Sequence, residues 1–289
     1  METAPDGRRG VTGSWANVGS MTGSLLGVGA AALVANFLDA QALHDWGWRL
    51  PFLGGSLLGV TAIWIRRNLH DSRRFAEHHA QREETSPLLE AFTTNRRETI
   101  LALIFAAGYG TCYYIAFVFL PEWLTDRHLM ARGTALAINT AATLAIIPLM
   151  PLFAIVGDRW LPRRTWIALA ILVLAVLAVP LYLWMLDSGG SLASVVVAHA
   201  AFFGLLAVPL GSAPALFVEM FPEPDRLSGY SVAFNVGVGV FGGMTPMIST
   251  SLMAWSGSDI APAIHFTVAA AIAILALALT PDRSRDPLR

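Results

Sequence analysis

Two sets of residues could do chemistry. The first lies inside stretches otherwise free of charge: Tyr109, Tyr113, Asn139, Thr140, His199 and Asn235. Polar side chains are costly in apolar surroundings, so each is a candidate for a functional contact. Tyr109 and Tyr113, four apart, share one face of a helix. If several of the six face one cavity, they offer hydroxyl, amide and imidazole groups to a small polar metabolite. For each alone, a helix–helix hydrogen bond is the competing reading. His199 could also carry a proton, because imidazole titrates close to neutral pH.

The second set sits in short turns between apolar stretches. Gly157-Asp158-Arg159-Trp160-Leu161-Pro162-Arg163-Arg164 places one carboxylate among three guanidiniums, and Glu219 and Arg226 flank another turn. Charge pairs and contacts with helix ends would let Asp158, Arg159, Arg163 and Arg164 close a gate. The alternative is topological, the arginines merely holding the turn on one side of a membrane. Glu219 can pair with an arginine or with a helix N-terminus, as a structural clamp or as a proton carrier. Metal chemistry finds no support: His70, His78 and His79 have no cysteine or carboxylate at ligand spacing. No H-E-x-x-H or G-x-S-x-G motif is present, so no hydrolase is expected. No cofactor and no nucleic-acid partner is expected either.

These residues are embedded in an apolar chain. Of its 289 residues, 55% are hydrophobic and 13% charged, too few charges to cover a water-soluble globule of this size. Eight intervals contain no Asp, Glu or Arg: 10–38, 50–65, 99–121, 133–157, 165–186, 188–218, 227–258 and 260–281. Crossing the hydrocarbon takes roughly 20 apolar residues as a helix. Only 50–65 is short, and Arg49 and Arg66 can snorkel at its ends, with Trp46 and Trp48 as an interfacial pair. The pattern predicts an all-α membrane protein with eight transmembrane helices.

The chain has no lysine, and 16 of its 19 arginines fall in the terminal segments and every second loop. Only Arg49, Arg127 and Arg132 fall on the opposite side. Positive charge stays in the cytoplasm, so both termini are expected there, in the plasma (inner) membrane. The expected divisions are 1–65, two spans at about 13–38 and 49–65; 66–98, a charged cytoplasmic linker; 99–281, a six-helix bundle; and 282–289, a cytoplasmic tail.

Six spans follow the linker and two precede it, which prompts a search for a repeat. Glu2, Pro5 and Arg9 have the spacing of Glu219, Pro222 and Arg226. Each copy leads into a Gly-rich span, with Asn17-Val18-Gly19 and Asn235-Val236-Gly237 in its first turns. The second copy opens the fifth span after the linker. The first copy then belongs to a fifth helix too, with four spans expected ahead of it.

The same residues carry a resemblance. Pro5-Asp6-Gly7-Arg8-Arg9-Gly10 with Gly13-Ser14-Trp15 resembles the fourth loop and fifth helix of the metabolite:proton symporters of the major facilitator superfamily. Trp46-Gly47-Trp48-Arg49-Leu50-Pro51-Phe52 is similar to the start of that family's sixth helix. Glu219-Met220-Phe221-Pro222, Arg226, Gly229, Asn235 and Phe241-Gly242-Gly243-Met244-Thr245-Pro246 resemble its helix ten–eleven signature. The resemblance implies helices five to twelve of a twelve-helix carrier of proline, betaine, α-ketoglutarate or shikimate, working by alternating access. It departs from the pattern at 157–164, one residue longer than usual and with Pro162 near the position of a glycine.

The resemblance implies a small-molecule substrate and protons as partners, within a lipid bilayer. No Asp or Glu lies deep in any interval, so either His199 serves proton coupling or the coupling group belongs to the first four helices. The chain alone is expected not to transport. Gly237, Gly239, Gly242 and Gly243 would form a small-residue face whose partner helix is missing. Alternatives are efflux by the same fold, or a membrane scaffold that transports nothing.

Overall fold

The structure, a computed structural model, describes residues 4–5, 7–68, 95–222 and 226–286. Most of the expected linker, with His70, His78 and His79, lies outside the described residues. All regular structure among those described is helical. We number the helices α1 (Arg9–Phe37), α2 (Ala40–Asp45), α3 (Leu50–Asn68), α4 (Arg96–Asp126), α5 (Arg132–Arg159), α6 (Arg163–Asp187), α7 (Leu192–Met220), α8 (Arg226–Ser256) and α9 (Ala261–Leu279). All but α2 are part of eight stretches long and apolar enough to cross a membrane.

The helices overrun the charge-free intervals, taking the flanking charges into their end turns. Helix α4 takes in Arg96, Arg97 and Glu98 at its start, with Glu98 in the first turn where the helix dipole favours an anion. Two helices widen locally into π turns, α4 at Ile115–Phe119 and α8 at Asn235–Gly242. Nothing in the hydropathy pattern foretells these.

Contacts divide the chain into two compact units, Met1–Val18 with Ser86–Arg289, and Gly19–Thr85. In the first, α5 packs on α7, α7 on α6, α6 on α9, α9 on α4, and α4 on the π turn of α8. Small residues allow the closest approaches. A Cβ at Gly108 would stand 3.0 Å from Ala273 Cβ, and one at Gly110 2.8 Å from Val238 Cα. Gly237 and Gly242 meet Ala106 and Tyr114 of α4, so much of the expected unpartnered glycine face is covered within this chain; Gly239 stays open. Leu169, Val176, Trp184, Ile272 and Leu275 are exposed on the outside, as side chains solvated by lipid should be. The second unit holds the rest of α1, with α2 and α3. Asp39 caps α2 by accepting the Ala42 N–H at 2.7 Å.

Candidate functional site

Helix α5 ends at Arg159, and the turn to α6 takes three residues. The N–H groups of Trp160 and Leu161 both donate to the Val156 carbonyl, at 2.9 and 3.1 Å. Pro162 then adopts φ −54° and ψ 130°, starts α6, and accepts the Trp166 N–H at 3.0 Å. Proline suits this place because a helix start needs no N–H from it. The extra residue and Pro162 thus leave a closed turn that delivers Arg163 to the first position of α6.

Arg163 is 1% exposed. Its Nε donates to Glu219 Oε2 at 3.1 Å and its Nη2 to Glu219 Oε1 at 3.0 Å, a two-pronged pairing. The same Nη2 lies 3.0 Å from Asp158 Oδ1. Asp158 also accepts two backbone donors from α1, Gly10 N–H at 2.8 Å on Oδ1 and Val11 N–H at 2.9 Å on Oδ2. A carboxylate there satisfies orphan donors and meets the positive end of the helix dipole. Arg9 Nη1 stands 3.7 Å from Glu219 Oε1. Two carboxylates and two guanidiniums make a neutral set, which is how charges come to be buried together.

The six charged candidates therefore divide. Asp158, Arg163 and Glu219 converge. Arg159 is exposed and outside the cluster. Arg164 turns to the C-terminal segment, donating to the Thr280 carbonyl at 2.6 Å and standing 3.9 Å from Asp282. Arg226 donates to the Val218 carbonyl at 3.2 Å. Arg9 and Gly10 were not among the candidates, although the repeat pairing Arg9 with Arg226 was a pointer. Gly10 makes the contact possible: a Cβ there would lie 2.6 Å from Asp158 Oδ1 and closer still to Arg163 Nη1. The tail joins the same region, since Arg9 Nη2 donates to the Asp286 carbonyl at 2.7 Å and Arg283 to that of Met220 at 3.2 Å.

The polar candidates divide as well. A cavity of about 350 Å³ opens between α5 and α7, and among the six only His199 lines it. Tyr109 is buried and stacks on Phe105, and Tyr113 stacks on Phe117 with centroids 4.5 Å apart. Asn139 donates to the Phe117 carbonyl at 3.3 Å, joining α5 to the π turn of α4. Thr140 is half-buried, and the exposed Asn235 donates to Ser231 within its own helix.

The eight apolar stretches, with charges gathered at helix ends, define a multi-pass helical membrane protein. Comparison with known proteins gives the family. The model of the Major Facilitator Superfamily matches residues 1–213, and the chain belongs to that superfamily. It is 28% identical to an ectoine/proline transporter of Corynebacterium glutamicum, over 99% of this chain and 59% of that one. It is 30% identical to an alpha-ketoglutarate permease of Escherichia coli K12, over 95% and 62% respectively. Identity to a citrate-proton symporter of Klebsiella pneumoniae is also 30%, over 100% and 64%. The chain thus spans about three-fifths of the length of these relatives.

Proposed function

We propose that this chain is the helix five to twelve portion of a proton-coupled carrier of small polar metabolites, working by alternating access in the plasma membrane with both termini cytoplasmic. In this reading 1–65 and 99–281 belong to opposite bundles of the carrier, 66–98 links them in the cytoplasm, and 282–289 is a cytoplasmic tail. Asp158, Arg163, Glu219 and Arg9 are its cytoplasmic latch. The observation that carries this is the grip of Asp158 on the Gly10 and Val11 N–H groups while Arg163 holds Glu219, which ties the ends of α5, α6 and α7 to the start of α1. When α1 moves away, the two backbone donors and the carboxylate lose one another together.

Uptake in cells tests this. The chain alone and a fusion to the leading segment of the alpha-ketoglutarate permease that it does not match are compared for accumulation of α-ketoglutarate. We expect protonophore-sensitive accumulation by the fusion only, lowered at least tenfold by Arg163→Ala. Extrusion by the fusion, or accumulation indifferent to a protonophore, would overturn symport.

A further inference from the structure

The cavity between α5 and α7 has a chemistry of its own. Its walls are apolar, Ile138, Ala142 and Leu149 on one side and Phe203 and Gly204 on the other. His199 is the single polar side chain among its lining residues, and it is 1% exposed. The ring is fixed from both sides. Nδ1 lies 2.9 Å from the Val195 carbonyl one turn earlier, and the ring stacks on Phe203 one turn later, at 5.6 Å and 29°. Phe203 is held in turn by Phe117 of α4, 4.0 Å away.

A carbonyl only accepts, so Nδ1 carries the proton of that bond. In a neutral imidazole Nε2 is then an acceptor. Nε2 is buried and has no hydrogen-bond partner among the described residues. Folding therefore leaves one acceptor unmatched in an apolar wall, beside a space within the usual range for small-ligand sites, roughly 300–1,000 Å³.

We propose that this cavity is a ligand subsite for a compact apolar group bearing one hydrogen-bond donor, an O–H or N–H, which bonds to His199 Nε2. A carboxylate would find no donor on this wall, and a cation no counter-charge; either would be buried at a large cost. This subsite therefore takes the uncharged part of a ligand. The inference rests on the carrier reading only in making that ligand a substrate, and its binding is measured without transport.

The full chain in lipid nanodiscs is titrated with para-fluorophenol and with para-fluoroanisole, followed by fluorine NMR against empty nanodiscs. The two probes share a ring, but only the phenol donates. The phenol should bind saturably and about three- to tenfold more tightly, the worth of one net hydrogen bond. His199→Phe should erase that difference while anisole binding persists. Gly204→Leu should abolish both, since a Cβ at Gly204 meets nothing within 4 Å and the added side chain fills open space. Equal binding of the two probes in the parent chain would mean an unselective apolar groove, open to lipid chains, and would overturn the proposal. So would no saturable binding, or a preference for phenol that survives in His199→Phe. Failure of the fusion to accumulate α-ketoglutarate would leave all these results unmoved.

Discussion

Gly10→Ala separates two opposed effects. Helix propensity alone favours alanine over glycine by up to about 1 kcal/mol, less in a first turn, so a free α1 would gain from the change. The cluster predicts the reverse. The new Cβ would meet Asp158 Oδ1 at 2.6 Å and Arg163 Nη1 more closely, and both side chains are too enclosed to step aside. The start of α1 must withdraw, and the Gly10 and Val11 bonds to Asp158 go with it. A hydrogen bond to a charged group contributes roughly 1.5–3 kcal/mol, so two give a gross 3–6. Water re-entering at the helix end recovers part of this. A net loss of about 3 kcal/mol shifts the closed–open equilibrium of the cluster on the order of a hundredfold. Spin labels at Arg8→Cys and Arg159→Cys, both exposed, report this as a distance distribution in a Cys112→Ser background. The parent should give one narrow distance and Gly10→Ala a second, longer population. Gly133→Ala, with open space around its Cβ, should match the parent. An unchanged narrow distance in Gly10→Ala, with a raised unfolding temperature, would refute the reasoning.

Two further substitutions test the packing around the site. The Tyr182 hydroxyl is buried without a partner among the described residues, against Trp123 and Phe202, so Tyr182→Phe should leave thermal stability in detergent unchanged or raise it by about 1 kcal/mol; a clear fall would show that the hydroxyl is matched. Gly211→Ala puts a Cβ against the Met150 backbone, which cannot rotate away, and should cost about 1–3 kcal/mol of stability in the same melt, whereas Gly204→Ala should cost nothing measurable.

The spans were legible because lipid leaves a chain few choices: a long run without charge has to be a helix that satisfies its own backbone. The ends were less so, since Arg96, Arg97 and Glu98 belong to α4 although they break the apolar run. In the charged turns, residue type was readable and partnership was not. Arg163 meets Glu219 across 56 positions, and Arg159, next to Asp158 at the end of α5, stays exposed because neighbours on a helix diverge by about 100°. Gly10 stood in the motif that carries the resemblance, but its contact with Asp158 was not readable, its role being the space it leaves. Among the polar candidates, Tyr109 and Tyr113 were chosen for their hydroxyls, yet their rings join the aromatic core. His199 lines the cavity while its Nδ1 is taken by its own helix.

The placement of the four clustered charges argues for a switch over a brace. Asp158 and Glu219 sit in the last turns of α5 and α7, where the helix dipole opposes an anion. Arg163 and Arg9 open α6 and α1, where it opposes a cation. Each is thus unfavourable for its own helix by roughly 0.3–1 kcal/mol, and exchanging the signs would stabilise all four ends. The cost is offset only when the ends meet, as Arg163 takes both carboxylates and Asp158 takes the start of α1. Sequences that break a local rule without local gain do so at functional sites. Charges serving only to strengthen single helices would sit at the other ends; these strengthen an assembly of helix ends, and lose their compensation whenever that assembly parts.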